Sequence, residues 1–200
     1  MSVNTCTGAQ EWVIERLEGL RVARPAPPPT PQDLIPSAFA SVEERLPTPV
    51  LRINPADGDA QGFAYVHVET FFWIDQIDGQ WAPVSATVSL RGLTLTLIAT
   101  PARLTIDTGD DHHTVCDGPP PPYPASMPDE FPEGCGHTYV DSSAMAPNGR
   151  TYPVTATITW TTAWAASDGQ SGTLETSTTT SAVRDLPVAE IQAVIVANPD

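Results

Sequence analysis

An alternation of apolar and small polar residues with a period of two most constrains how this chain can fold. In "GLTLTLIA", Leu93, Leu95 and Leu97 alternate with threonines, and the preceding "VSATVSL" alternates in the same way. Successive side chains of a β-strand point to opposite faces, so this pattern predicts strands with one buried face and one solvated face. Such one-sided burial is typical of antiparallel rather than parallel sheets.

About eight segments with strand character follow each other from Phe63 to the end of the chain. Clusters of glycine, proline, asparagine and aspartate separate them, with little helical periodicity between. Threonine is abundant, and its branched Cβ suits a pleated, half-buried surface. We therefore predict an all-β fold, an antiparallel β-sandwich, for residues 62–200. The segments are "FAYVHVETFFWI", "VSATVSL", "GLTLTLIA", "RLTID", "GHTYV", "YPVTATITWTTAW", "TLETSTTTSAV" and "PVAEIQAVIV".

The charge balance narrows the classes of partner. The 200 residues carry 24 acidic and 9 basic side chains, a formal net charge of −15. Nucleic acids and anionic membrane surfaces attract basic proteins, so we expect neither as a partner. We interpret the acidic charge as a means of keeping the protein soluble, and a basic partner or bound cations are the alternatives.

Neither a membrane-spanning segment nor a signal peptide is evident in the sequence. No stretch approaches the roughly 20 apolar residues that cross a bilayer, so we do not expect a membrane-spanning protein. The opening "MSVNTCTGAQEW" lacks the basic start and apolar centre of a signal peptide. The signal of an exported protein would then lie outside this chain or be missing from it.

The region before the predicted sandwich divides into two parts. In residues 1–24, Val13, Leu17 and Leu20 share one helical face, which predicts a short N-terminal helix. Residues 25–61 open with "RPAPPPTPQDLIP", where proline fixes φ and removes backbone donors. We predict a semi-rigid, proline-rich linker for this part, and a ligand for a proline-recognising groove is the alternative.

The stretch "IDTGDDHHTVC" concentrates groups that can bind a metal. They are Asp107, Asp110, Asp111, His112 and His113, with the more distant His137. A helix–loop–helix calcium site needs acids at alternating positions, a central glycine and a distal glutamate, and that pattern is missing. Zinc spacing is missing too, since adjacent histidines of a strand point to opposite faces.

We predict that this stretch is a structural turn between two strands. Asp107 and Asp110 are expected to accept hydrogen bonds from turn amides, while His112 and His113 begin the next strand. A weak calcium site at Asp107, Asp110 and Asp111 is the first alternative, and a transition-metal site is the second. We expect no resident metal or other cofactor.

Two of the three cysteines are predicted to form a disulfide. Cys116 and Cys135 bracket "DGPPPPYPASMPDEFPEG", a loop too rich in proline to pair as strands. Closing a loop of about 20 residues is worth roughly 3 kcal/mol, and such a bond persists in an oxidising compartment, which argues for export. For the odd Cys6 three alternatives stay open: a bond outside the chain, a bond to an upstream cysteine, or an attached lipid.

The tryptophans are candidates for stacking on sugars or anchoring an interface. Trp160 and Trp164 share one face of a predicted strand, and Trp73 and Trp81 flank a turn. We predict that Trp160 fills the core with the other apolar residues of its strand. Trp73, Trp81 and Trp164 remain as candidate binding aromatics.

We predict no catalytic residues. Ser142 and Ser143 follow "HTYVD", but neighbours along a strand do not form a triad, and no Gly-x-Ser-x-Gly elbow occurs. Glu130 and Glu133 lie in the proline-rich loop, where a rigid separation of two carboxylates is not expected. No glycine-rich loop that would cradle a phosphate is present.

Three short matches resemble the PKD-type (polycystic kidney disease) β-sandwich family. Its pattern is Asp-aromatic-Gly-Asp-Gly at a strand end, then His-x-Tyr, then Gly-x-Tyr-x-Val opening a long strand. The matching residues here are Asp107, Gly109, Asp110, His137, Tyr139, Tyr152 and Val154, with Gly149 one place early. Thr108 replaces the usual aromatic residue and Asp111 the usual turn glycine, although aspartate tolerates a left-handed backbone.

A second resemblance covers most of the chain from about residue 61. The order of "FFWID", "WAPVSATVSL", "DTGDD", Cys116, Cys135, "TYVDSSA", "TITWTTAW" and "VAEIQAV" is similar to a set of exported actinobacterial proteins of uncharacterised function. This resemblance implies the fold and export. It implies no activity and no catalytic residues.

These features predict a non-catalytic, exported or cell-envelope β-sandwich module that mediates contacts with a protein partner. A carbohydrate-binding module is the first alternative and requires exposed tryptophans that face a glycan. A calcium-dependent adhesion or envelope-remodelling protein is the second, and it requires the aspartate-rich turn to hold an ion.

Overall fold

The computed structural model describes residues 26–75, 79–116, 118–119, 122 and 135–191. Within these residues β-strands dominate, and a single α-helix, α1 (Pro31–Glu43), precedes them. The strands are β1 (Leu51–Asn54), β2 (Ala64–Tyr65), β3 (Glu69–Ile74), β4 (Val84–Leu90), β5 (Leu93–Asp107), β6 (His113–Cys116), β7 (Gly136–Thr138), β8 (Tyr152–Ala166), β9 (Ser171–Leu186) and β10 (Val188–Ala189). A 3₁₀-helix (Ser143–Met145) lies between β7 and β8.

The larger sheet contains β4, β5, β8 and β9 in that order, all antiparallel, and β6 pairs with the last residues of β5. Along β5, Leu93, Leu95 and Leu97 are buried, and the threonines between them are only partly covered. The predicted one-sided burial is therefore confirmed. We call the leucine side of this sheet the inner face and the threonine side the outer face.

The smaller sheet contains β1, β3 and β7 in the order β1–β3–β7, again antiparallel. Phe71, Phe72 and Ile74 of β3 are buried in the same hydrophobic core as the inner face of the larger sheet. β10 pairs with β2 in parallel over two residues of each strand. The predicted all-β, antiparallel, sandwich-like class is confirmed.

Within the predicted linker of residues 25–61, the described residues differ from the extended spacer that the prolines predicted. α1 begins at Pro31, where the missing proline N–H removes no helical hydrogen bond. Leu34, Ala38 and Val42 recur every four residues and are buried, and α1 packs against β4 and β5. The linker prediction is therefore wrong for α1, where burial of a helical apolar stripe outweighs the proline content. It is also wrong for β1, which pairs with β3.

The ends of the chain are only partly covered by the described residues. The helix predicted within residues 1–24 lies outside them, as do residues 192–196 of the predicted last strand. α1 has 13 residues, and in the described part of the chain no helix is long and apolar enough to cross a membrane.

Trp160 is fully buried in the core, with 0% of its surface exposed. Val154, Ala156 and Ile158 are buried on the same face of β8. The indole Nε1 donates a 3.0 Å hydrogen bond to the hydroxyl of Thr180 on β9, so the buried donor has a partner. The prediction that Trp160 fills the core is confirmed.

Candidate functional site

The aspartate-rich stretch forms a tight turn between β5 and β6. Its backbone closes through a 3.0 Å hydrogen bond from the Thr108 N–H to the His112 carbonyl. Asp107 accepts a 2.9 Å hydrogen bond from the Gly109 N–H through Oδ1, as predicted. Asp111 has a φ of 65°, so an aspartate does occupy the left-handed position where the family pattern has glycine. The backbone thus turns between two strands, as predicted, although β6 begins at His113 and not at His112.

Gly109 is required by this turn for two reasons, and Gly109→Ala tests both. Its φ is +80°, and an added Cβ would lie 2.9 Å from the Pro153 nitrogen and Cδ. We expect the substitution to lower the free energy of unfolding by about 1–3 kcal/mol in urea denaturation, because strain and overlap add. Gly169→Ala is the matched control, since Gly169 has a φ of +88° but no neighbour within 4 Å. Equal losses in both variants would show that the contact with Pro153 carries no energy.

Asp110 is held by side chains rather than by the turn amides that the sequence predicted. Its carboxylate accepts a hydrogen bond from the Thr108 hydroxyl and a 2.7 Å hydrogen bond from His137 Nε2. Burial opposes ionisation, but these two hydrogen bonds outweigh it, and the pKa of Asp110 lies below its usual range. Asp110 is therefore a carboxylate at neutral pH.

His137 reaches Asp110 because β7 pairs with β3 beside the turn. Its ring packs edge-on against Tyr139, with 4.6 Å between the ring centroids. Tyr139 is fully buried and donates a 2.9 Å hydrogen bond to the Thr108 carbonyl, which ties β7 to the turn. Burial raises the pKa of Tyr139 well above its usual range, so the phenol stays a hydrogen-bond donor.

His112 completes a cluster with Asp110 and His137, which we call the histidine–aspartate cluster. Its Nδ1 lies 2.9 Å from the Asp110 carbonyl and 3.6 Å from Asp110 Oδ1. The two imidazole rings are 5.3 Å apart between centroids. The side chain of His112 is 69% exposed, whereas those of Asp110 and His137 are about 16% and 15% exposed. Two groups are thus held inside, and the third covers them from the solvent side.

The structure does not gather the three aspartates that were the calcium candidates. Asp107 and Asp111 line a shallow groove of about 450 Å³ with His112 and His113, while Asp110 turns to His137. Among the described residues, the histidine–aspartate cluster is the group of three side chains whose ligand atoms lie close enough together to hold one metal ion. The sequence analysis included His137 among the possible ligands, but it did not predict this cluster, because only the pairing of β7 with β3 brings His137 to Asp110.

A disulfide joins Cys116 and Cys135, as predicted, with 5.3 Å between their Cα atoms. Cys116 ends β6 and Cys135 precedes β7, and both are buried. The Cys135 carbonyl accepts a 2.9 Å hydrogen bond from the Phe72 N–H of β3. Most of the proline-rich loop between the two cysteines lies outside the described residues, and so does Cys6.

The candidate binding tryptophans are each partly buried. Trp73, Trp81 and Trp164 all pack against the hydrophobic core. Trp164 lies on the Trp160 side of β8, as its spacing predicted, and its indole is close to the backbone of Gly172. A glycan would contact only the exposed part of each ring, and whether any of them binds one stays a prediction.

Ser143, which lies close to His137 in the sequence, forms hydrogen bonds with the backbone. The Ser143 hydroxyl lies 2.6 Å from the Arg150 carbonyl and accepts a 3.0 Å hydrogen bond from the Val188 N–H. It therefore ties the 3₁₀-helix to β10, and it is buried. Glu130 and Glu133, the carboxylate pair considered above, lie outside the described residues.

Comparison with known proteins finds no match: no protein-family model fits the chain, and no curated protein or solved structure is similar to it. A function must therefore be inferred from the arrangement of the described residues.

Proposed function

We propose that this chain is an exported, non-catalytic module of the cell envelope, with a PKD-type β-sandwich fold, that mediates contacts with a protein partner. The observation that carries the proposal is the outer face of the larger sheet. This face is wide, nearly uncharged and open, in a chain whose net charge is −15. Interface centres are depleted of charged residues relative to the rest of a protein surface.

Hydroxyl side chains cover most of the outer face, arranged in rows across the strands. Neighbouring rows are Thr105, Thr157 and Ser181, then Arg103, Thr159 and Thr179. Among the paired residues of this face in β5, β8 and β9, Arg103, Asp107 and Asp185 carry the charges.

Exposed apolar side chains interrupt the hydroxyl rows. Ile98, Val115 and Val183 lie on the outer face of β5, β6 and β9 and are all exposed. A face that mixes hydroxyl groups with a few apolar contacts and little charge suits a protein partner better than a nucleic acid or an anionic membrane.

The disulfide supports the compartment in this proposal. Disulfides persist in oxidising environments and are rare where thiols are kept reduced. The contacts of Ser143 support the absence of hydrolytic chemistry, because a hydroxyl bonded to the Arg150 carbonyl and the Val188 N–H is not poised beside a base.

The test places a photoactivatable cross-linking residue at Thr159, on the outer face, in cells that produce the chain. Met145, which is 76% exposed and lies in the 3₁₀-helix, is the matched control position. We expect an envelope protein to cross-link from position 159 and not from 145. The purified partner should then bind the purified chain at least ~10-fold more weakly when Ser181→Glu places a charge in the contact.

Intact mass after alkylation of the natively produced chain tests the compartment. We expect one reactive thiol before reduction and three after it, because Cys116 and Cys135 are bonded. Three reactive thiols in a sample protected from reductants, or equal cross-linking from positions 159 and 145, would contradict the proposed function.

A further inference from the structure

We propose that the histidine–aspartate cluster of Asp110, His112 and His137 is a binding site for a divalent transition-metal cation of the zinc class. This site does not depend on the proposed partner contact, because its three ligand atoms come from the β5–β6 turn and β7 and not from the threonine rows of the outer face. It lies at the junction between the turn of the larger sheet and β7 of the smaller sheet.

The distances match a three-residue site that closes on a cation. Each of the three ligand atoms lies within 4.8 Å of the other two. Asp110 Oδ2 and His137 Nε2 are 2.7 Å apart, and Asp110 Oδ1 and His112 Nδ1 are 3.6 Å apart. Zinc bonds of about 2.0–2.2 Å put tetrahedral ligands about 3.3 Å apart, so the Asp110–His137 pair opens by about 0.6 Å and the widest separation closes by at most about 1.5 Å when the cation binds.

Two of the ligands are oriented before any cation binds. The Thr108 hydroxyl holds the Asp110 carboxylate, and the edge-to-face contact with Tyr139 holds the His137 ring. Partners of this kind fix ligand orientation in metal sites and strengthen binding. His112, with its exposed side chain, is the ligand that moves to close the site.

The donor set selects the class of cation. Calcium takes six or more oxygen ligands and magnesium a near-octahedral oxygen shell, whereas this cluster offers one carboxylate and two imidazoles. Imidazole nitrogen suits zinc, copper and nickel, and a carboxylate completes many zinc sites. We therefore expect the cluster to bind zinc and not calcium.

A fourth coordination position faces a small cavity. The cavity measures about 130 Å³, and Asp110, His112, His137, Thr138, Asp141 and Tyr152 are among its lining residues. Three protein ligands and one open position are the arrangement in which zinc keeps a water molecule or accepts a donor from another molecule.

Metal binding would add a second link near the disulfide. Asp110 and His112 belong to the β5–β6 turn, and His137 belongs to β7, two residues after Cys135. Because the ligands come from both sheets, a bound cation stabilises the folded state and not the unfolded chain.

The experiment is zinc titration of the full, oxidised, untagged chain by calorimetry at pH 7, with thermal unfolding followed in parallel. All measurements use the Cys6→Ser variant as the background chain, because a free thiol could bind zinc independently of the cluster. We expect one zinc per chain and a higher melting temperature with zinc, and neither effect with calcium.

Variants assign the binding to the cluster. His112→Gln alters a mostly exposed side chain, so it should fold normally and lose at least ~10-fold in zinc affinity. His137→Gln and Asp110→Asn should lose as much. His113→Gln and Asp111→Asn are matched controls, one residue along from true ligands, and should bind zinc like the background chain.

Two outcomes would overturn the site. One is no zinc binding by the folded, oxidised chain. The other is zinc binding that survives His112→Gln and His137→Gln unchanged, which would place the cation elsewhere. Neither outcome bears on the proposed partner contact, which is measured without added metal.

Discussion

Trp160→Ala is expected to lower the free energy of unfolding by about 3–5 kcal/mol, as measured by urea denaturation followed by far-UV circular dichroism. The indole is 0% exposed, so its removal leaves a large cavity among the closely packed side chains of the inner face. The substitution also removes the indole N–H from which the Thr180 hydroxyl accepts a hydrogen bond. A domain with a typical stability of about 5–15 kcal/mol would lose a large share of it.

Trp164→Ala on the same strand is the matched control for this prediction. Trp164 is only partly buried, and its indole lies against Gly172 near the end of β8. Less area returns to water when it is truncated, so we expect a clearly smaller loss than at Trp160. A loss at Trp160 no larger than that at Trp164 would contradict the central position assigned to Trp160.

Removal of the disulfide is expected to cost about 3 kcal/mol of unfolding free energy. The bond spans a sequence separation of 19 residues, and without it the unfolded chain gains the freedom of that loop. The test combines Cys116→Ala with Cys135→Ala, because alanine places no unpaired hydroxyl at these buried positions. Urea denaturation of the double variant and of the oxidised parent gives the difference.

Two controls separate the bond from other effects. The reduced parent chain should resemble the double variant, and Cys6→Ser should leave the stability of the oxidised chain unchanged. A double variant as stable as the oxidised parent would show that other contacts of β6 and β7 hold this end of the domain by themselves. Such contacts include the hydrogen bond between Tyr139 and Thr108.

The disulfide and the histidine–aspartate cluster lie in the same corner of the fold. Cys116 is the last residue of β6, and Cys135 immediately precedes β7. His137 of β7 follows Cys135 by two residues. The position of His137 thus depends on β7, a strand of three residues that pairs with β3 at one edge of the smaller sheet. A covalent bond beside so short a strand limits how far His137 can move from Asp110.

Several features could be read from the sequence because they depend on residues close together in the chain. The alternation of Leu93, Leu95 and Leu97 with threonine predicted one buried face, and the same period placed Trp160 in the core. The turn after β5 was predicted from its glycine and aspartates, and the resemblance to the PKD-type pattern implied the left-handed position of Asp111. The bracketing of a proline-rich loop predicted the bond between Cys116 and Cys135.

The helix α1 was not predicted, because two signals conflicted in the same residues. Prolines at 31 and 36 favour extended geometry, whereas Leu34, Ala38 and Val42 repeat with a helical period. Only the presence of β4 and β5 as an apolar surface for that stripe decides the outcome. Tertiary burial therefore overrode a local preference.

By itself, the sequence determined the strand periodicity, the buried tryptophan, the turn and the disulfide, since each is encoded within a few residues or in an isolated pair of cysteines. Only the tertiary structure decided that α1 joins the core and that Asp110 turns from the other aspartates towards His137. The physical reason is that Asp110 and His137 are 27 positions apart in the chain. Strand pairing brings them to within 2.7 Å of each other, and no local sequence pattern specifies that pairing.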